Sequence, residues 1–139
     1  LIRKGLYNSD DEELKFFAPP NKNHVSHSII DWQNNYKKKS DFIKIETVTV
    51  KSILKEFDIQ NFEMIKLDIE GSEIEVLNQM IDEKILPNQI LVEFDELNKI
   101  NEIALKRFSD IHQKLLLKEY ELIKTNSKFP DFLYIKKTI

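Results

Sequence analysis

The sequence predicts an α/β fold with a mainly parallel sheet and one antiparallel strand in a C-terminal hairpin. Apolar runs of strand length alternate with segments of helical periodicity, which favours parallel strands joined by right-handed crossovers. Residues 62–69 form the central run, and their apolar residues lie on both faces, as expected for a strand buried inside a parallel sheet. The last two strands are separated by a short turn instead of a helix, so they are expected to pair as a hairpin.

The first third of the chain is predicted to form a two-stranded ribbon. Residues 14–17 and 42–48 have the composition and alternation of strands, and a polar loop separates them. Residues 32–36 are spaced to form a short helical turn within that connection. The loop also contains His24 and His27, but no third ligand stands at a recognisable spacing, so no metal ligand is assigned.

Three helices and three further strands follow. Thr49 is the expected N-cap of the first helix, and Ser72 with Glu75 forms a predicted capping box at the second. Glu73 and Glu75 are expected to be purely structural, because the first turn of a helix favours negative charge. The helices are defined by the apolar stripes Val50, Ile53, Leu54 and Phe57; Ile74, Leu77, Met80 and Ile81; and Ile100, Ile103, Ala104, Phe108, Ile111 and Leu115. The strands are predicted at residues 89–94, 120–125 and 132–136.

The amino-acid composition excludes several classes of function. The 139 residues are 41% hydrophobic and 32% charged, which suits one globular domain spanning residues 1–139. A formal net charge of −3 offers no excess of cations to a phosphate backbone, so no nucleic-acid partner is expected. No apolar run approaches the roughly 20 residues that span a bilayer, and no signal-peptide pattern is found, so no membrane partner and a cytoplasmic location are expected. Only two glycines and no cysteine are present, which excludes a glycine-rich nucleotide loop and a disulfide framework.

Acidic residues cluster where predicted strands end. Asp68 and Glu70 close the central strand, and Glu93 and Asp95 close the next one. Ligands of open α/β sheets bind outside the carboxyl ends of the strands, so these carboxylates are expected to converge on one site. Three kinds of chemistry suit such a cluster: a general base for a hydroxyl, hydrogen bonds to cofactor or sugar hydroxyls, and Mg²⁺ binding through oxygen ligands.

Residues 65–73, Ile-Lys-Leu-Asp-Ile-Glu-Gly-Ser-Glu, resemble the central signature of the FkbM-type methyltransferase family. Weaker similarities to the family's flanking patterns lie at residues 26–29, 46–50, 92–94 and 132–135. The resemblance implies a Rossmann-like fold and an O-methyltransferase that uses S-adenosylmethionine and acts on a hydroxyl of a sugar or small metabolite. The family's glycine-containing cofactor loop, and the acidic residue that ends its second strand, are absent. The chain therefore resembles the C-terminal part of such an enzyme, with a partial Rossmann-like sheet.

The resemblance also suggests roles for individual residues. Asp68 is expected near the methyl donor, as a catalytic and cofactor-binding residue. Glu70 is expected near the acceptor, as a catalytic and substrate-binding residue, and Glu93 is a weaker candidate for substrate binding. Ser26 and Ser28 are expected to contact the adenine side of the cofactor. Which carboxylate is the base stays open, and Mg²⁺ has no support beyond the presence of carboxylates.

Three functions remain open on the sequence. The first is the C-terminal part of an S-adenosylmethionine-dependent methyltransferase, with the activity of this part alone left open. The second is a non-catalytic α/β module that binds no cofactor, and the third is a metal- or sugar-binding domain that uses the acidic edge. A sheet edge exposed beside the central strand would pair with another chain, so a homo-oligomer or a covering segment is expected.

Overall fold

In a computed structural model, residues 2–21, 23–31, 33–35, 40–123 and 130–137 are described. Their strands are β1 (Gly5–Leu6), β2 (Glu13–Phe17), β3 (Phe42–Val48), β4 (Met64–Leu67), β5 (Gln89–Glu93), β6 (Tyr120–Ile123) and β7 (Asp131–Lys136). Their α-helices are α1 (Val50–Glu56), α2 (Glu73–Asp82) and α3 (Glu102–Leu117), and a 3₁₀ helix spans Asp95–Lys99. The helical turn predicted at residues 32–36 and most of the turn before β7 lie outside the described residues.

A three-stranded sheet has the order β1-β3-β2. β2 and β3 pair antiparallel, with Glu13 opposite Glu46 and Phe17 opposite Phe42, so the predicted ribbon is confirmed. β1 pairs parallel to β3. β1 was not predicted, because a strand of two residues is too short to show an alternating pattern.

A four-stranded sheet has the order β4-β5-β7-β6. β4 and β5 pair in parallel, whereas β7 is antiparallel to both β5 and β6. The α/β class and the antiparallel closing strand are therefore confirmed. A mainly parallel sheet is not confirmed, because both sheets mix parallel and antiparallel pairs.

The prediction that the central strand is buried on both faces is wrong. β4 lies at the edge of its sheet and ends at Leu67, which is fully buried, while Met64 is 53% exposed. Ile65 and Leu67 point to the helices, and the alternate residues Met64 and Lys66 point away from them. An apolar run cannot by itself show that only one of its faces is covered.

The hydrophobic core lies between the four-stranded sheet and the helices. Tyr120 and Tyr134 are its largest buried side chains, and the Tyr120 hydroxyl donates to the Pro87 carbonyl at 2.5 Å. His112, which the sequence left as a packed or surface residue, is half-buried with Nδ1 2.9 Å from the Tyr134 hydroxyl. The fully enclosed core includes Leu67, Val76, Leu77, Met80, Ile90, Val92, Phe94, Ile111 and Leu115.

Side chains cap the N-termini of α1 and α3, but the side-chain cap predicted for α2 is absent. Thr49 caps α1 by accepting from the Ser52 amide at 3.1 Å, as predicted, and Asn101 caps α3. The capping box at Ser72 is wrong, because the Ser72 hydroxyl donates to the Leu6 carbonyl at 3.0 Å. None of the described helices is long and apolar enough to cross a membrane.

The predicted stripe of α3 is only partly correct. Ala104, Ile111 and Leu115 are buried, but Ile100 and Ile103 are 67% and 74% exposed. Ile100 lies before the helix, and Ile103 lies in its first turn, beside the 3₁₀ helix and away from the core. The sequence prediction placed both residues on the core face from their spacing alone. That spacing does not show how far along the helix the neighbouring elements extend.

Leu67→Ala is expected to lower the free energy of unfolding by about 2–5 kcal/mol, because it leaves a cavity in the enclosed core. Urea unfolding followed by circular dichroism would measure the loss. Met64→Ala, on the exposed face of the same strand, is the matched control and is expected to have a much smaller effect. Equal losses for the two variants would contradict the observed position of β4.

Candidate functional site

Four carboxylates meet where β4 and β5 end. Asp68 follows β4, Glu93 ends β5, Glu70 lies in the turn before α2, and Asp95 opens the 3₁₀ helix. Burial raises the pKa of Glu70, and the nearby charges of Asp95, Asp68 and Glu93 raise it further. The predicted convergence of these four acids is therefore present in the fold.

Glu70 is the residue around which the turn is built. Its φ of 61° lies in the left-handed region, which costs about 1–3 kcal/mol for a residue with a side chain. Its carbonyl accepts from the Ser28 hydroxyl at 2.7 Å and from the Ile29 amide at 3.0 Å. Its carboxylate is half-buried and hydrogen-bonded to the exposed Ser26 side chain. The loop at residues 26–29 thus holds both the backbone and the side chain of Glu70.

Ser28 is buried and links the elements of the site. Its hydroxyl oxygen lies 2.7 Å from the Glu70 carbonyl and 3.3 Å from Asp95 Oδ2, and it accepts from the Ile30 amide at 3.0 Å. Sequence reasoning associated Ser28 with the cofactor, and that role stays a prediction. The geometry gives this hydroxyl a structural task, because it joins the 26–29 loop to the ends of β4 and β5.

Glu73 fixes the turn from the helix side. Its carboxylate is 1% exposed and accepts from the Ile69 amide at 2.9 Å and from the Gly71 amide at 3.1 and 3.2 Å. Burial raises the pKa of Glu73 to about 7, although these backbone donors favour the charged form. The sequence indicated only a charge at a helix N-terminus, because the amides that it binds become neighbours only when the turn closes.

Gly71 is required by the turn and by close packing. Its φ of 107° disfavours any side chain, and a Cβ there would lie 2.8 Å from Ile30 Cγ1 and 3.2 Å from Ser28 Oγ. A Cβ at Gly5, the other glycine, would lie 2.5 Å from Ile45 Cδ1. Both glycines therefore face protein side chains.

Asp68 is more accessible than the other acids of the cluster. Its carboxylate lies 2.7 Å from Lys66 Nζ, and the two side chains are 43% and 56% exposed. The sequence argument took Asp68 as a carboxylate inside an apolar strand, but β4 ends one residue earlier. Glu93 is half-buried, and burial, followed by Asp68 and Asp131, raises its pKa.

An ion-pair network beside the cluster was not predicted. Arg107 Nη2 lies 2.5 Å from Glu75 Oε1 and 3.1 Å from Glu96 Oε1. The Glu96 side chain is only 4% exposed, and burial raises its pKa while Arg107 lowers it. The three residues come from α3, α2 and the 3₁₀ helix, so no local spacing in the sequence signals the network.

Two clefts border the acids. Asp68 and Glu70 line a cleft of about 630 Å³ whose opposite wall, in the three-stranded sheet, includes Leu14, Phe16 and Ile43. A second cleft, of about 720 Å³, is lined by Asp95, Glu96, Lys99, Asn101, Glu102, Arg107, Ile30, Ile103 and Ala104. Carboxylates beside apolar walls suit ligands that combine hydroxyls or a cation with an apolar body.

No metal centre is found in the described part of the chain. No group of three or more His, Cys, Asp or Glu side chains there has the geometry to hold a metal ion. His24 is exposed, and His27 stacks on Phe16 with ring centroids 5.9 Å apart.

A comparison with protein families matches residues 4–122 to the model of the methyltransferase FkbM domain. The match begins one residue before β1 and ends within β6, so it includes every acid of the cluster. No curated protein and no solved structure matches the chain.

Glu73→Gln is expected to change how stability depends on pH. The folded pKa, about 7, lies above the ordinary value of 4.5, so the contribution of Glu73 is present below pH 4.5 and lost as pH rises through 7. The free energy of unfolding of the variant, relative to the natural chain, should therefore rise by about 3 kcal/mol between pH 4.5 and 8.

Urea unfolding at several pH values would measure this difference. Glu83→Gln removes an exposed carboxylate next to the same helix and is the matched control. If the free energy of unfolding depends on pH in the same way for the natural chain and for Glu73→Gln, the raised pKa of the buried Glu73 carboxylate is contradicted.

Proposed function

Because the chain belongs to the family of FkbM methyltransferase domains, we propose that it forms part of an S-adenosylmethionine-dependent O-methyltransferase. The proposed acceptor is a hydroxyl of a sugar or small metabolite, and the proposed fold of the whole domain is Rossmann-like. The observation that carries the proposal is Glu70, a half-buried carboxylate at the end of β4 that lines a cleft among other acids.

Glu70 is the general base of this proposal. A carboxylate accepts a proton more readily when its pKa is raised, and burial together with Asp95 raises the pKa of Glu70. The acceptor hydroxyl would donate its proton to Glu70 as the oxygen becomes nucleophilic. The Ser28 and Ile29 contacts fix the Glu70 backbone, which supports a base that must be positioned accurately. Glu93 would bind a second hydroxyl of the acceptor.

Asp68 would lie on the cofactor side of the same cleft. When bound, S-adenosylmethionine supplies an electrophilic methyl group beside a positively charged sulfur. The carboxylates of Asp68 and Glu70 are suited to lie near that positive charge and to accept hydrogen bonds from the ribose hydroxyls. These two residues therefore fit the sulfonium and ribose part of the cofactor. Ser26, exposed and bonded to Glu70, is the proposed contact toward the adenine.

A second function has one specific observation in its favour. Gly5 and Gly71 both face protein side chains, so neither supplies a backbone cradle for the amino-acid end of the cofactor. On that ground the alternative is a non-catalytic α/β module that binds no cofactor. The two functions differ in whether the chain binds S-adenosylhomocysteine.

Titration calorimetry with S-adenosylhomocysteine, with and without Mg²⁺, tests the proposal. We expect saturable binding that Asp68→Asn weakens by about tenfold, since one charge-assisted hydrogen bond is lost. Glu83→Gln, at an exposed acid paired with Lys51 outside this cleft, is the control and should leave the affinity unchanged. The absence of any binding would favour the non-catalytic module.

The role of Glu70 as general base can be tested by measuring transfer of a labelled methyl group to a panel of sugars and small hydroxylated metabolites. Glu70→Gln is expected to reduce the rate by about 10²–10⁴, the usual contribution of general base catalysis. An unchanged rate with an acceptor that the natural chain methylates would exclude Glu70 as the base.

A further inference from the structure

The cleft between the 3₁₀ helix and α3 has the features of a second ligand site. Its volume is about 720 Å³, and both charged and apolar side chains line it. The charged ones include Glu96 and Arg107, and the apolar ones are Ile30, Ile103 and Ala104. Among the described residues, this cleft has no lining residue in common with the cleft at the end of β4. The two clefts are therefore separate sites.

The ion-pair network in the wall of this cleft contains more acceptors than donors. Arg107 Nη2 bonds to one oxygen of Glu75 and to one oxygen of Glu96. The second oxygen of each carboxylate, Oε2, is buried and has no hydrogen-bond partner in the described part of the chain. Two carboxylates share one guanidinium, so one negative charge is left over within the network. A buried carboxylate oxygen without a donor is costly, and this position therefore favours an additional donor that carries positive charge.

Glu96 is the carboxylate of this network that lines the cleft. Its side chain is only 4% exposed, whereas the Arg107 side chain beside it is 41% exposed. Arg107 Nε has no hydrogen-bond partner in the described part of the chain, so Nη2 is the atom that holds the guanidinium to both carboxylates. A small shift of Arg107 gives a ligand access to Glu96 Oε2, and Glu75 keeps the guanidinium in an ion pair during that shift.

The apolar part of the cleft is suited to the body of a small organic ligand. Ile103 is 74% exposed although it lies in the first turn of α3, and Ile30 and Ala104 line the same cleft. Ligand pockets combine apolar walls with a few polar groups that fix the orientation of the ligand. Ile103 and Glu96 supply these two elements here.

The charges of the cleft favour an organic cation over other ligands. Asp95, Glu96 and Glu102 line it together with Lys99 and Arg107, so carboxylates outnumber cations and an anion is disfavoured. A metal ion is not supported, because no group of His, Cys, Asp or Glu in the described residues has the geometry to hold one. A neutral hydroxyl would supply a donor to Glu96 but would leave the negative charge of the network uncompensated.

We propose that this cleft binds an organic ammonium ion, whose nitrogen donates to Glu96 Oε2 and whose apolar body packs against Ile103. The ligand class is a small primary amine with an alkyl chain or a ring. A hydrogen bond between an ammonium group and a carboxylate is stronger than one between neutral groups, so the charged nitrogen supplies the specificity. The site does not depend on the proposed methyl transfer.

Nuclear magnetic resonance titration with cyclohexylamine tests the site, because this amine is protonated at neutral pH and carries an apolar ring. Cyclohexanol has the same ring without the charge and should bind about tenfold more weakly. Glu96→Gln keeps the size of the side chain and removes its charge. It should weaken cyclohexylamine binding by about tenfold and leave cyclohexanol binding unchanged. Glu83→Gln, at an exposed acid paired with Lys51 outside the cleft, is the matched control.

A second pair of variants tests the apolar wall. Ile103→Ser should weaken the binding of both probes, because it removes apolar surface that the ring contacts. Leu117→Ser changes a residue that is 81% exposed at the other end of α3 and should weaken neither. Both residues are exposed, so neither substitution disturbs the core.

Far-ultraviolet circular dichroism of every variant would verify that the fold is retained. The proposal is overturned if cyclohexylamine causes no saturable shifts in the amide signals of the 3₁₀ helix and the first turn of α3. Shifts confined to residues 68–71 would place the amine in the other cleft and overturn it too. Equal affinities for the two probes, or for the natural chain and a folded Glu96→Gln, exclude the ammonium–carboxylate contact. If Glu96→Gln does not fold, the comparison of the two probes and the Ile103→Ser variant decide the outcome.

Discussion

The arrangement of the site depends on the buried carboxylate of Glu73. It accepts from the amides of Ile69 and Gly71, the residues on either side of Glu70. A buried carboxylate is costly unless it is hydrogen-bonded, and these amides would be costly too if they were left without acceptors. The two requirements satisfy each other, and the result is a closed turn that holds Glu70 in the left-handed region.

Ser28 completes this turn from a distant part of the sequence. Its hydroxyl contacts the Glu70 carbonyl and Asp95, so one buried side chain joins the ends of β4 and β5 to the loop beside the three-stranded sheet. Gly71 allows this approach, because a Cβ at that position would collide with Ile30. The Glu70 backbone is thus held by Ser28 and Ile29, while the Glu70 side chain lines the cleft.

The two faces of the four-stranded sheet have different physical tasks. One face is covered by helices and supplies the enclosed core around Tyr134. The other face carries the paired residues Leu91 and Leu133 and, at the end of β5, the pair Glu93 and Asp131. Glu93 therefore belongs both to the acidic site and to this face.

The sequence by itself determined the α/β class, the β2–β3 ribbon, the N-cap at Thr49, the family signature at residues 65–73 and the meeting of acids at the strand ends. These features depend on local periodicity, local capping or short motifs, which a sequence records directly. Only the tertiary structure decided that β4 is covered on one face, that Glu73 binds the turn, and that Arg107 joins Glu75 to Glu96. Each of these depends on groups that become neighbours only when the chain folds, and periodicity within one element carries no information about what packs against it.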